Sequence, residues 1–450
     1  MKKGKVLKIV TVLLVLGLLL VTGCGTGGTS SSQAAGGPIT VTFWHSMGGV
    51  PAKTLTTLIN KFNATHKDIQ VKLVYQGSYD DAFNKLKASP DQGPDLFQVY
   101  DIGTRYMIDA GLVTPMQNFI DKSKFDLSQF EPHVLHYYEV GGKLYSMPFN
   151  TSVPVLYYNK TMFKAAGLDP NKPPLTFADV EKDAKALTTK SGGKTVYGFS
   201  QAIYGWFFEQ YLARDGALYV NNGNGRDKAA TESLVNSPAG VDILTWWKKM
   251  IDDGAATNLG RQTSATQAAF GAQQIAMTID SCGILPNLTT AAAGKFKIGI
   301  APLPRGNNAS DSGPIIGGGS LWILKNKPKA EQEAAWKVVQ WLTQPAQMAA
   351  WTVGTGYLPI NKAAVNEQTY KDFLAKYPSY QVALDQLHNT PENRVTEGGR
   401  IGVFTSARAT VENAIEQAVL NKATPQAALD AAAKKITSAI QEYNQTMGVK

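Results

Sequence analysis

Gly317-Gly318-Gly319-Ser320 and the pair His133 and His136 are where residue types and spacing come nearest to chemistry in this chain of 450 residues. Three glycines before a hydroxyl can turn backbone amides toward a phosphate, but ahead of a strand they more often make a bend. The two histidines stand three apart with no further His, Cys or Glu in a recognisable ligand spacing, which suits packing or surface roles better than a metal. No Gly-x-Ser-x-Gly elbow, His-Glu-x-x-His or Gly-x-x-x-x-Gly-Lys-Ser/Thr occurs, so a serine nucleophile, a zinc hydrolase site and a nucleotide loop are not expected. Cys282 has no neighbouring His and reads as a small buried hydrophobe. The aromatic residues are more suggestive. Tyr75, Tyr79, Tyr100, Tyr157, Tyr158, Tyr204, Trp206, Trp351 and Tyr357 fall at or beside expected strand ends and glycine-rich loops. Such rings give a polyol or sugar an apolar wall for its C–H groups and a polar tip for its hydroxyls. Core packing competes for each of them, and Trp246-Trp247, inside a regular helical pattern, belongs to the core. The balance favours a binding protein with no catalytic residue, cofactor or metal.

The elements that must position these residues alternate from Pro38 onward. Residues 39–44 have the period-two pattern of a strand, and Leu55, Leu58, Ile59 and Phe62 have helical spacing. A strand over 71–75, a helix over 79–88 and a buried strand over 96–100 follow. This β-α-β rhythm predicts a parallel sheet with helices on both faces. Ligands of such sheets bind beyond the carboxyl ends of the strands, which directs attention to His45, Ser46, Gln76 and Asp101. The later half turns mostly helical, with helices expected over 176–187, 240–252, 329–342, 347–353, 410–420 and 425–443. Short strands are expected over 154–158, 275–279, 296–300 and 321–324.

Composition is that of a globular chain, 44% hydrophobic and 18% charged, too apolar for a disordered one. The net charge of +9 is uneven, because Lys2, Lys3, Lys5 and Lys8 carry four of the positive charges; without them 40 basic residues face 35 acidic ones. No basic run or basic-aromatic interleaving follows, so nucleic acid is not an expected partner. The four lysines precede an apolar run over 9–21, shorter than the roughly 20 residues a membrane span needs. Residues 1–23 therefore read as a secretory signal peptide. Val21-Thr22-Gly23-Cys24 resembles a bacterial lipobox, which implies a diacylglyceryl group on Cys24 and an extracytoplasmic body anchored to the cell membrane. Residues 24–37 then serve as a flexible tether. With Cys24 acylated, Cys282 has no partner within the chain, and the body must be held by its core alone.

Six segments carry a wider resemblance: Phe43-Trp-His-Ser-Met-Gly-Gly49, Gln98-Val-Tyr-Asp-Ile-Gly-Thr104, Pro148-Phe-Asn-Thr-Ser-Val-Pro-Val-Leu-Tyr-Tyr-Asn159, Ala166-Gly-Leu-Asp-Pro-Asn-Lys-Pro-Pro174, Ile315-Ile-Gly-Gly-Gly-Ser-Leu-Trp322 and Gly356-Tyr-Leu-Pro-Ile360. In this order the chain resembles the extracellular solute-binding proteins of ABC importers, family 1, and within them the glycerophosphate subgroup. The resemblance implies an α/β, two-lobe periplasmic-binding-protein fold with discontinuous lobes and a hinged cleft. Residues 38–150 and 315–354 would form lobe I, and 151–314 and 355–450 lobe II. It implies ligand contacts at Tyr79, Asp101, Ser152, Ser281, Gly318, Tyr357 and Arg408, with Trp206 as an aromatic wall. A guanidinium fork at Arg408 suits a phosphate, and serine hydroxyls and the Gly318 amide can donate to its remaining oxygens. Asp101 repels phosphate and is expected at the glycerol end; the family has Glu there, so this end is wider or bridged by water. Expected partners are a small phosphate ester or sugar and the importer's permease subunits, bound by a monomer. An importer component for a neutral sugar, a lipid-anchored hydrolase of glycerophosphodiesters and a structural adhesin are the rival readings.

Overall fold

The computed structural model describes residues 37–306 and 312–449; the apolar run over 9–21, Cys24 and the tether up to residue 36 lie outside the described residues. Thirteen strands are found among the described residues. The first part of the chain supplies β1 (Ile39–His45), β2 (Ile69–Tyr75), β3 (Leu96–Tyr100), β4 (Val113–Thr114), a small hairpin of β5 (Glu139–Val140) and β6 (Lys143–Leu144), and β7 (Met147–Ser152). Next come β8 (Pro154–Asn159), β9 (Thr189–Ser191), β10 (Lys194–Phe199), β11 (Ile275–Ser281) and β12 (Ile298–Pro302), and last β13 (Gly317–Leu324). One sheet has the order β2-β1-β3-β13-β4 with β7 also on β13, and the other has the order β12-β8-β11-β10-β9. The first sheet is discontinuous, since β13 joins it only after the chain has built the second.

The expected parallel sheet is corrected by this path. β1 runs parallel to β2 and β3, and β10 parallel to β11, but β13 is antiparallel to β3, β4 and β7, and β8 is antiparallel to β11 and β12. Parallel neighbours need a long crossover within one sheet. A single residue, Val153, separates β7 from β8, and β13 enters the first sheet from the other one, so both strands run against their neighbours.

Local sequence explains the frame. The helix Gly49–Thr65 buries Leu55, Leu58, Ile59 and Phe62, the residues whose spacing announced it. The helix Tyr79–Ala88 begins at a capping box in which Ser78 accepts from the Asp81 amide and Asp81 accepts from Ser78, which holds Tyr79 at the first helical position. The helix Lys329–Leu342 has the expected bounds, whereas Phe404–Val419 begins six residues earlier than the expected 410. The strand β10 and the helix Gly205–Arg214 are not among the sequence expectations. That helix is buried continuously from Gly205 to Ala213, so it has no polar face and no amphipathic period to read. Trp246 and Trp247 lie in the core as expected, and Cys282 is buried and unpaired, its thiol pushed up to about 12 by burial. No helix among the described residues is long and apolar enough to cross a membrane.

The glycine run resolves into a strand rather than a bend. Gly317, Gly318 and Gly319 face Ser152, Thr151 and Asn150 of β7, with a register shift after Gly319. Gly318 has φ +97°, and a Cβ there would lie 1.8 Å from the Asn150 carbonyl oxygen. Gly318→Ala should lower unfolding free energy by at least about 2 kcal/mol through backbone strain and displacement of β7. Gly111→Ala, with φ +63° but open space around the position, should lose only about 1 kcal/mol. Denaturant titration of the two variants checks the contrast; equal losses would remove the close-approach account.

Candidate ligand-binding cleft

Strand ends from both sheets converge on a cleft of about 440 Å³. Its lining includes all eight positions carried by the sequence resemblance: Tyr79, Asp101, Ser152, Trp206, Ser281, Gly318, Tyr357 and Arg408. Asp101 follows β3, Ser152 ends β7, Ser281 ends β11 and Gly318 stands near the start of the antiparallel β13. Three of these are carboxyl ends of strands, where an α/β sheet leaves side chains and loops free to meet a ligand.

Each tyrosine is held by a stack. The Tyr79 ring packs on Tyr100 at 5.4 Å, and Tyr357 lies parallel to Trp351, which stacks on Phe149 at 4.6 Å. A polar chain fixes the Tyr79 hydroxyl: the Gln98 side-chain amide donates to Asn150 Oδ1 at 2.8 Å, and Asn150 Nδ2 donates to Tyr79 at 2.7 Å. The Ser281 hydroxyl accepts from the Gly283 amide, and the neighbouring Asp280 accepts from the Ser281 amide and from Gln267. Trp206 packs against the β13 start, where a Cβ on Gly317 would meet its ring at 2.5 Å. Its indole N–H is buried without a partner.

Arg408 does not stand free. Its Nε and Nη2 donate to the two carboxylate oxygens of Glu209 at 2.7 and 2.8 Å, both side chains being sealed from water. Nη2 also lies 3.9 Å from Asp101, while Nη1 points toward the Tyr204 hydroxyl at 3.5 Å. The fork that the sequence offers to a phosphate is thus occupied on one side by an internal carboxylate, and Nη1 is the donor that remains. Burial alone would lower the pKa of Arg408; the Glu209 carboxylate, Tyr204 and Asp101 together outweigh it and keep the guanidinium charged. Burial pushes the Asp101 carboxyl up to about 7 against the pull of Arg408, and burial does the same to Asp280.

Sequence reading missed several cleft residues. Glu209, which pairs with the lining residue Arg408 without lining the cleft itself, is the most consequential, and a signal existed: an acid inside the apolar run Trp206-Phe-Phe-Glu-Gln-Tyr-Leu212 must find a cation when buried. Asp80, Arg261, Asp280 and Glu412 also line the cleft without having been singled out, whereas Tyr100 and Tyr204, which line it too, are among the aromatics expected as walls. Tyr100 donates to Asp80 at 2.7 Å and meets the Thr405 hydroxyl at the same distance, so the side of β3 touches the helix that carries Arg408. Of the four residues singled out after strand ends, Asp101 reaches the cleft, and the other three are used elsewhere. His45 holds the Met47 amide, Ser46 donates to the Ser78 carbonyl, and Gln76 accepts from Lys85. Tyr157, Tyr158 and Trp351 are core, and Tyr75 is exposed on the edge strand. His136 pairs with Glu392 and His133 is buried; no metal-ligating cluster occurs among the described residues.

Comparison with known proteins places this geometry. The model of the bacterial extracellular solute-binding protein family matches residues 57–379. The sn-glycerol-3-phosphate-binding periplasmic protein UgpB of Escherichia coli K12 is 34% identical over 416 residues, covering 90% of this chain and 94% of that protein; UgpB of Shigella flexneri matches to the same extent. Among solved structures, UgpB from Mycobacterium tuberculosis in complex with glycerophosphocholine superposes with a TM-score of 0.77 at 23% identity, over 91% of this chain and 100% of that one. The GacH receptor of Streptomyces glaucescens, solved unliganded and with acarbose, gives a TM-score of 0.75 at 19% identity over 90% and 99% of the two chains. These neighbours share the two-lobe periplasmic-binding fold. The chain belongs to the bacterial extracellular solute-binding proteins, the substrate-binding components of ABC importers.

Proposed function

We propose that this protein captures glycerol 3-phosphate or a glycerophosphodiester such as glycerophosphocholine for an ABC importer. The observation that carries the reading is the convergence of Arg408, Ser152, Ser281 and the Gly318 backbone on one cleft with two tyrosine hydroxyls. Phosphate oxygens would meet Arg408 Nη1, the serines and the glycine amide, and the glycerol hydroxyls would meet Asp101, with Trp206 over the carbon face. Cleft electrostatics favour the diester. Glu209 already offsets Arg408, and Asp80, Asp101, Asp280 and Glu412 line the same space, so a monoanion is tolerated better than a dianion. A neutral sugar is the second reading, supported by the same offset charge and by the aromatic walls at Tyr79, Tyr204 and Trp206. The relatives are solute-binding proteins, which supports a role without bond-making.

On this reading residues 38–150 and 315–354 form lobe I and 151–314 with 355–450 form lobe II. Ligand biases a hinge at the strand crossings toward closure, because the closed form alone presents contacts from both lobes. Residues 1–23 act as the signal peptide, and acylated Cys24 keeps a monomeric body beside its permease on the extracytoplasmic side of the membrane.

Titration calorimetry of the body with glycerophosphocholine, glycerol 3-phosphate and maltose tests the proposal. The diester should bind most tightly. Replacing the pair together, Arg408→Gln with Glu209→Gln, avoids a buried unpaired carboxylate and should weaken the diester by about tenfold or more through loss of a charge-assisted contact. Binding of maltose alone would transfer the protein to the sugar reading. The pH dependence has a defined sign. Asp101 and Asp280 are neutral below about 7 and ionise above it, so affinity for a phosphate-bearing ligand should fall as pH rises through 7, by at most about tenfold per unit for each proton lost. Asp101→Asn should flatten part of that slope; an unchanged profile would show that Asp101 does not face the ligand's charge.

A further inference from the structure

A second polar basin, of about 380 Å³, opens between the β5–β6 turn and three arginines, Arg226, Arg394 and Arg400. Its two walls come from different parts of the fold. The hairpin leads into β7 of the first sheet, and Arg400 sits just before the helix Phe404–Val419 that carries Arg408. Arg400 spans them: Nη1 donates to the Glu139 carbonyl and Nη2 to the Arg226 carbonyl, both at 3.1 Å. Its Nε is buried with no partner.

The charges around Arg400 do not balance. Arg394 is paired with Asp227 and Glu397, and His136 with Glu392. Arg226, whose side chain is 3% exposed, donates to the Gly398 and Glu397 carbonyls, and Glu397 is its carboxylate neighbour at 3.8 Å. Among the described residues no carboxylate is in ion-pair reach of Arg400; Glu139 and Glu397 line the same basin, but the strongest charges acting on the guanidinium are Arg226 and Arg105, followed by Glu397 and Arg394. Burial and these three cations lower the guanidinium to about 10. A half-buried guanidinium among like charges, whose Nη atoms have carbonyl acceptors but whose Nε has none, beside an open basin, lacks what an oxyanion supplies: a paired countercharge.

We propose that this basin is a second ligand site, for a small oxyanion of the phosphate class, held by Arg400 and Arg226 and distinct from the cleft. Occupancy there would tighten the cleft. An anion bridging Arg400 to the hairpin wall orders the approach to the Arg408 helix. A void of about 10 Å³, one water in size, also joins Arg226 and Arg400 to Asp101 and Tyr137. The Arg226 guanidinium lies 5.0 Å over the Tyr137 ring, so one contact links the basin's arginine to a residue that lines the void beside Asp101. By linkage, the anion and the cleft ligand should each raise the other's affinity, by about fivefold at the lower end of such couplings.

The test is thermal unfolding of the body with sodium phosphate titrated against chloride at constant ionic strength, for the natural protein, Arg400→Gln and Arg394→Gln. The natural protein should show a saturable rise in Tm that persists in excess glycerophosphocholine. Arg400→Gln should lose that rise while unfolding cooperatively and keeping its response to glycerophosphocholine; Arg394→Gln, whose charge is already paired, should keep most of it. Absence of a saturable rise in the natural protein, its retention in Arg400→Gln, or its abolition by excess glycerophosphocholine would each overturn the site. The phosphate arm does not depend on what the cleft binds. Failure of glycerophosphocholine to shift the natural protein would therefore count against the cleft proposal alone.

Discussion

The buried Arg408–Glu209 pair, whose arginine lines the cleft, is the interaction on which the rest of the site depends. Two charges removed from solvent are tolerated only with matched geometry, and losing one partner of such a pair typically costs about 3–5 kcal/mol. The match is made by two helices, Gly205–Arg214 and Phe404–Val419, brought so close that a Cβ on Gly205 would sit 2.5 Å from the Arg408 side chain. Glu412 adds a tie by accepting from the Gly205 amide at 2.9 Å. The guanidinium is thereby fixed on one side and available on the other, close to Asp101. A free arginine would be a stronger anion trap. A paired one is a weaker and more oriented donor, and it allows the cleft to carry several carboxyl groups nearby.

The seam between the sheets supplies the remaining precision. Val153 alone separates β7 from β8, so Asn150, Thr151 and Ser152 are fully buried polar residues on a strand about to change sheets. Their partners are equally constrained: Gln98 and Tyr79 bracket Asn150, the Leu358 amide donates to the Thr151 carbonyl, and Gly317 and Gly318 lie against Ser152 and Thr151. Glycine is needed there because the backbones of β7 and β13 meet at a distance that excludes a side chain. That close approach is what brings the Gly318 backbone and Ser152 into the same small volume.

Solved structures of the same architecture hold glycerophosphocholine in one case and acarbose in another, so the frame does not choose the ligand. Choice falls to a few side chains at strand ends and helix starts. Here those side chains combine stacked tyrosines, a tryptophan with an unmatched N–H and an arginine half-neutralised from within. Stacking surfaces suit carbon faces of any polyol, whereas the residual donor of Arg408, the two serines and the glycine amide suit oxygens of a phosphate.

Much of the frame was legible because helices and strands with one buried face leave periodic traces: the helix after β1 announced itself through Leu55, Leu58, Ile59 and Phe62, and Lys329–Leu342 through its apolar spacing. The cleft members were legible through motif resemblance, residue by residue. What the sequence could not express was pairing across distance. The helix Gly205–Arg214 has no polar face, so its period vanished. Glu209 and Arg408 are 199 residues apart, and no local pattern says that one takes the other's fork. The antiparallel entry of β8 and β13 likewise follows from a chain path between two sheets rather than from any strand's own residues. The sequence by itself determined most of the element types, the family and eight of the positions that line the cleft; the tertiary structure decided the rest of the lining and the charge state and remaining hydrogen-bond capacity of its residues, because burial and long-range pairing set both.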